Sequence, residues 1–317
     1  MSNNPPSRSG PDRDGPPRIA LAPDGAPGWM HDAVVAGGGH IVPVGEAEGL
    51  VWAAPRSPDA LVELLDDAPG LSWVQLPFAG IEQYVDLLDD DHLWTCAKGV
   101  YAEPVAEMAL SLALAGLRNL GPYARATSWT GPAGRNLIGA NVAILGGGGI
   151  TNSLLRMLAP FDCHTTVVRN HVAEMDGADE VLEADRYVDA LAGADLVVLA
   201  LALTPDTEGM ISRSELQTME SHAWIVNVAR GRHIVTEDLV WALENEIIGG
   251  AGLDVTDPEP LPDGHRLWSL SNCIITPHCG NTPAMAAPLL SERISTNVHR
   301  FAHGEPLIGE VYVDLGY

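Results

Sequence analysis

Basic side chains and cysteines are the scarce residues of this chain. Against 42 aspartates and glutamates there are 17 lysines and arginines, a formal net charge of −25. A surface that acidic repels phosphate backbones and anionic lipid, so nucleic acid and membrane surfaces are excluded as expected partners and small soluble ligands are favoured. Four cysteines, Cys96, Cys163, Cys273 and Cys279, are too few for a disulfide framework in 317 residues and show no C-x-x-C spacing, which fits a reducing, cytoplasmic setting. No apolar run reaches the roughly 18 residues of a membrane span, and no basic segment followed by an apolar stretch marks the N-terminus. Neither insertion nor export is expected. The histidines have no metal-ligand spacing, so no metal is expected.

What is present is 46% hydrophobic residues, enough for about two domains at roughly 150 residues each. Residues 1–17 are Ser, Asn, Pro, Gly, Asp and Arg with almost no apolar side chain, and a disordered tail is predicted there. From Arg18 onward short apolar runs alternate with stretches of helical period, the pattern of strand, crossover helix and strand, which implies parallel sheet. A first series of strands is predicted at Ile19–Ala22, His40–Val44, Leu50–Ala53, Leu71–Leu76 and Leu93–Thr95, with a helix over Asp59–Asp66. A long helix, Glu103 to Leu120, is apolar nearly all round and therefore predicted to be buried. After a Gly/Pro-rich connection from Gly121 to Gly139, six more strands are predicted: Asn141–Leu145, His164–Val168, Asp195–Ala200, Ala223–Asn227, Gly249–Asp254 and Cys273–Thr276. Six strands with intervening helices suggest a doubly wound dinucleotide fold. A final helix is predicted from Ala284 to Ala302.

The segment Asn141-Val-Ala-Ile-Leu-Gly-Gly-Gly-Gly-Ile-Thr passes directly from strand to glycine turn to amphipathic helix. In a dinucleotide site the first glycine makes the tight turn, the second admits the pyrophosphate, and the third lets helix and strand pack closely. Gly146 and Gly148 fit the first two positions, and Gly149 and Ile150 open the helix, so these four are the candidate phosphate contacts. Thr151 stands at the third position, a departure that either sets the helix farther out or offers a hydroxyl to phosphate. The next strand ends in Arg169 rather than in the acidic residue that binds the ribose 2′-hydroxyl of NAD. A guanidinium there suits the 2′-phosphate of NADP, so NADP is preferred over NAD.

Three later segments place polar groups at strand ends: Asn227-Val-Ala-Arg-Gly-Arg, Gly252-Leu-Asp-Val-Thr-Asp-Pro-Glu-Pro and Thr276-Pro-His-Cys-Gly-Asn-Thr. In open α/β sheets those ends form the ligand crevice, which brings Arg230, Glu259 and His278 forward as candidates. Together with the glycine loop, with Ala79-Gly80-Ile81, Val105-Ala106-Glu107, Leu203-Thr-Pro-Asp-Thr and Leu267-Trp268, they strongly resemble the D-isomer-specific 2-hydroxyacid dehydrogenase family.

The resemblance implies a Rossmann-type cofactor domain, residues 111–286, inserted in a flavodoxin-like substrate domain made of residues 18–110 and 287–317. It implies hydride transfer between a nicotinamide cofactor and a small 2-keto or D-2-hydroxy acid, such as glyoxylate or hydroxypyruvate. Arg230 would bind the substrate, His278 would be the acid and base, and Glu259 would support His278. The backbone around Ala79 and Gly80 would receive the substrate carboxylate. Asp254 would accept from the nicotinamide carboxamide, and Thr207 and Val228 would lie against the cofactor. Trp129 matches a part of the family that wraps a partner subunit, so a homodimer is expected. Phosphoglycerate dehydrogenase, from the same family, and a nicotinamide-sensing binding protein without significant turnover are the alternatives.

Overall fold

The computed structural model describes residues 15–54 and 57–311, so most of the tail expected over residues 1–17 lies outside the described residues. The chain divides into two units. One runs up to Tyr101 and resumes at Thr282, and the other is Ala102–Asn281.

The first unit holds five parallel strands: β1 (Arg18–Ala22), β2 (His40–Ile41), β3 (Gly49–Trp52), β4 (Trp73–Gln75) and β5 (Leu93–Thr95), in the order β2-β1-β3-β4-β5. That is the flavodoxin-like order. Between them lie α1 (Gly28–Ala36) and α2 (Pro58–Asp66), whose Leu61 is the fully buried residue of its apolar face. Strand β2 stops short of the predicted Val44 because Pro43 follows two residues later and cannot donate to the ladder. The C-terminal helix, Pro283–Ala302, belongs to this unit. Its Phe301 ring sits 4.9 Å from that of Trp73, and its buried Asn297 donates to Gln75 Oε1 at 2.8 Å, so both apolar packing and a satisfied polar bond fix it to the sheet.

The second unit opens with α3 (Ala102–Leu117) and α4 (Leu120–Arg125). The long helix predicted to reach Leu120 instead ends at Leu117, where Asn119 turns left-handed (φ 56°) and starts a separate short helix inside the stretch read as a connection. There follow β6 (Asn141–Leu145), α5 (Gly149–Leu158), β7 (His164–Arg169), β8 (Glu180–Glu183), α6 (Tyr187–Leu191), β9 (Leu196–Leu199), α7 (Arg213–Thr218), β10 (Trp224–Asn227), α8 (Thr236–Glu244), β11 (Gly250–Leu253), α9 (Arg266–Ser269) and β12 (Cys273–Ile275). The sheet order is β12-β11-β10-β9-β6-β7-β8, all parallel. Counting from β6 this is the 3-2-1-4-5-6 dinucleotide-binding order extended by one strand.

The sheet therefore has seven strands where six were predicted. Strand β8 was missed because it is a short edge strand flanked by glutamates, whose charge hides the apolar run. Along β6, Val142 and Ile144 enter the core beneath α3 and α5, while Ala143 and Leu145 enter the core beneath α6 to α8. The same alternation recurs in β9 and β10, so both faces of the sheet are buried and the strands read as continuous apolar runs. Each fully buried Val, Leu or Ile contributes about 1.5–3 kcal/mol over its exposed state. That packing holds the segments that follow the seven strands at the carboxyl edge of one sheet.

Candidate active site

The glycine turn sits where β6 meets its neighbours β7 and β9, the point at which strand order reverses. Gly146 has φ +115°, and a Cβ there would run into the Ala200 carbonyl of the β9 end, so only glycine lets the two loops approach this closely. Gly148 is the N-cap of α5, and a Cβ on it would meet nothing within 4 Å. The opening beside it faces the first-turn amides of Gly149 and Ile150, which no intrahelical carbonyl accepts, and the first turn carries no acidic side chain. Those features fit a pyrophosphate, the part of a dinucleotide that needs close backbone approach and orphan N–H groups.

The Thr151 hydroxyl turns inward, to the glycine turn itself. The side chain is fully buried, and Oγ1 donates to the Gly146 carbonyl at 2.7 Å. The hydroxyl thus closes the glycine turn from inside, which is how a branched residue is tolerated where a third glycine is usual. Arg169, at the end of β7, lies across the turn: a Cβ on Gly147 would sit 2.8 Å from Arg169 Cδ and Nε. Among the described residues Arg169 makes no ion pair.

Arg230, Glu259 and His278 follow β10, β11 and β12. His278 Nδ1 and Glu259 Oε1 are 2.6 Å apart. The hydrogen bond and charge of Glu259 raise the His278 pKa above its ordinary value, against burial and the positive charge of Arg230. Reciprocally, the hydrogen bond from His278 holds the Glu259 carboxyl below the usual range. With Nδ1 engaged, Nε2 is the nitrogen left for a substrate. Gly231, next to Arg230, has no room for a Cβ because the Thr256 carbonyl lies against it, so glycine is what brings the Arg230 loop onto the loop bearing Glu259.

His278 itself has φ +49°, a left-handed conformation that costs a non-glycine residue about 1–2 kcal/mol. Asp254 holds it there. Its carbonyl accepts from His278 N at 2.8 Å, while its buried carboxylate takes Thr276 Oγ1 at 2.5 Å, Cys279 N at 2.9 Å and Gly280 N at 2.8 Å. Both carboxylate oxygens are thus committed to the histidine loop. Thr276, two residues before His278, was not singled out from the sequence, and its hydroxyl reveals itself only by this bond.

Thr207 lies on the loop after β9, where its hydroxyl bonds the Ala202 carbonyl at 2.9 Å and accepts from Thr204 N at 2.8 Å. Val228 is buried just past β10, its amide bonded to Leu199 O. Asn227 was missed as a support: its Nδ2 donates to Arg230 O at 2.8 Å and its Oδ1 accepts from Ala229 N at 3.0 Å. The second unit therefore gathers Gly146, Gly148, Gly149, Ile150, Arg169, Thr207, Val228, Arg230, Asp254, Glu259 and His278 along its carboxyl edge. Ala79 and Gly80 belong to the first unit, on the loop after β4, where Ala97 N bonds Phe78 O at 3.0 Å and Tyr101 Oη bonds Pro77 O at 2.7 Å.

Comparisons with known proteins follow the same lines. The family model described as "D-isomer specific 2-hydroxyacid dehydrogenase, NAD binding domain" matches residues 108–280. A Corynebacterium melassecola protein, "Uncharacterized protein in proB 3'region", is 39% identical over 297 residues, 90% of this chain and 95% of that one. The glyoxylate reductase/hydroxypyruvate reductase of Homo sapiens is 33% identical over 222 residues, 67% of each chain. In fold, the chain resembles the D-isomer specific 2-hydroxyacid dehydrogenase from Xanthobacter autotrophicus Py2 in complex with NADPH and MES, with a TM-score of 0.82 at 23% identity over 96% of this chain and 100% of that one. With the dinucleotide turn, the sheet order and the matched segment in agreement, the chain belongs to the D-isomer specific 2-hydroxyacid dehydrogenases, a family of NAD(P)-dependent oxidoreductases.

Proposed function

We propose that this protein reduces a small 2-keto acid of the glyoxylate or hydroxypyruvate kind to its D-2-hydroxy acid, with NADP(H) preferred over NAD(H). The observation that carries the reading is the carboxylate-paired imidazole, His278 with Glu259, standing with Arg230 on the sheet edge that also holds the glycine turn. Bound in that turn, the nicotinamide coenzyme supplies the hydride for reduction and accepts it in oxidation.

Arg230 grips the keto acid through its carboxylate and carbonyl oxygens, a task suited to a planar guanidinium, and polarises the carbonyl. His278, kept protonated by Glu259, gives its Nε2 proton to the carbonyl oxygen and retrieves it in the reverse direction. The backbone of Gly146, Gly148, Gly149 and Ile150 takes the pyrophosphate, Thr207, Val228 and Asp254 bound the nicotinamide side, and Arg169 meets the 2′-phosphate of NADP. The glyoxylate/hydroxypyruvate activity named for the human relative supports the substrate class, and the NADPH named with the Xanthobacter structure supports the cofactor.

The wholly exposed Trp129 supports a homodimer in which that segment meets a second copy. Four free thiols, and no helix among the described residues long and apolar enough to cross a membrane, support a cytoplasmic setting. The test is oxidation of NADPH and NADH at about 340 nm against glyoxylate, hydroxypyruvate, pyruvate and bulkier 2-keto acids, with 3-phosphoglycerate oxidation as a separate arm. Turnover of a 2-keto acid with NADPH, lost in His278→Gln while cofactor binding persists, is the expected result. Activity confined to 3-phosphoglycerate would make the protein a phosphoglycerate dehydrogenase, and cofactor binding with no turnover would make it a nicotinamide sensor.

A further inference from the structure

His233 closes a 3₁₀ turn, Gly231–His233, directly behind Arg230, and its side chain has no exposed surface. An imidazole buried that completely is costly unless its ring nitrogens are bonded. Nδ1 lies 2.9 Å from Arg230 O and 3.3 Å from Arg230 N, and Nε2 lies 3.3 Å from Ala202 O. With Nε2–H donating to Ala202 O and Nδ1 accepting from Arg230 N–H, the ring bridges the Arg230 peptide to the loop after β9. Each end of the bridge is already part of the site: Asn227 Nδ2 donates to Arg230 O, and Thr207 Oγ1 also donates to Ala202 O. A single chain of hydrogen bonds joins Asn227, Arg230, His233, Ala202 and Thr207.

Packing alone does not account for a histidine here. Its neighbours in sequence and across the loop, Ile234 and Ile211, are buried aliphatics of one core, whereas position 233 buries a ring with two polar nitrogens. Nor is the ring needed to join the two segments, because Gly209 N to Arg232 O at 2.8 Å and Ile211 N to His233 O at 3.0 Å already zip them together. What the ring adds is a hold on the Arg230 peptide planes. Productive geometry tolerates about 10–20° of misorientation, and a displacement near 1 Å costs on the order of a hundredfold in rate.

We propose that His233 is a positioning residue: it fixes the backbone from which Arg230 reaches the substrate and ties that backbone to the loop bearing Thr207. The proposal rests on the reading of Arg230 as the ligand of the keto acid.

The test compares the wild type with His233→Val, His233→Gln, Arg230→Ala and the double variant Arg230→Ala/His233→Val. It reads KM and kcat for the accepted keto acid, and by calorimetry the binding of NADPH and of oxalate, a non-reacting dicarboxylate, to the NADPH-loaded protein. Expected for His233→Val is a tenfold or greater rise in KM and in the oxalate Kd, about 1.4 kcal/mol or more, with the NADPH Kd within twofold. His233→Gln, which can restore one of the two bonds, falls between, and it carries the test if the valine variant does not fold. In the Arg230→Ala background the valine substitution changes kcat/KM by less than twofold, because a residue acting through Arg230 has nothing left to position. Losses that add in the double variant, or a His233→Val protein matching the wild type, overturn the proposal. A wild type that binds NADPH but neither reduces a keto acid nor binds oxalate overturns the reading of Arg230 itself.

Discussion

Replacing Glu259 by glutamine removes a charge from the candidate site while leaving an acceptor 2.6 Å from His278 Nδ1. A hydrogen bond to a charged group exceeds a neutral one by about 1 kcal/mol. The His278 and Glu259 side chains are 51% and 41% exposed, so solvent screens part of that difference and roughly 0.5–1 kcal/mol remains. The substitution therefore lowers the His278 pKa, and a difference of that size favours loss of the ring proton by about two- to fivefold. Reduction needs the protonated ring, so kcat/KM for the keto acid falls as pH rises through the raised His278 pKa. In Glu259→Gln that fall begins at lower pH, and oxidation of the hydroxy acid, which needs the neutral ring, begins to rise earlier by the same interval. Well above the His278 pKa of either protein, the variant loses about two- to fivefold more in reduction than it loses well below it. The assay is kcat/KM for both directions from pH 5 to 9.5, with wild type and variant in matched buffers. An alkaline limb at the same pH in both proteins, or one displaced upward in the variant, would refute the electrostatic role given to Glu259.

Two further substitutions test the glycine turn and its neighbour. Thr151→Val keeps the shape but strips the Gly146 carbonyl of its 2.7 Å donor, and the expected loss is about 1–3 kcal/mol, a fall of roughly 2–10 °C in melting temperature read by calorimetry. Arg169→Asp places a carboxylate where the guanidinium lies over the glycine turn, so the NADPH KM should rise by about tenfold or more while the NADH KM falls or holds, measured in parallel titrations.

Much of this protein is legible along the chain because its determinants are local. Apolar runs such as Val142 to Leu145 announce strands buried on both faces, and a glycine turn following directly on one of them announces the start of α5. The residues after each strand necessarily fall on one edge of a parallel sheet, so Arg230, Glu259 and His278 could be placed together before any distance was known. What the sequence left open depends on partners far away in the chain. Strand β8 was hidden because edge strands trade apolar character for charge, and the end of α3 was decided by the left-handed turn at Asn119 rather than by helix propensity. Only the folded structure turns the Thr151 hydroxyl inward to Gly146, spends the Asp254 carboxylate on Thr276, Cys279 and Gly280, and sets the His233 ring between Arg230 and Ala202. Periodicity and strand-end position are properties of the chain itself, whereas the choice of hydrogen-bond partner for a buried polar group is made by whichever carbonyl or amide the tertiary packing brings within about 3 Å.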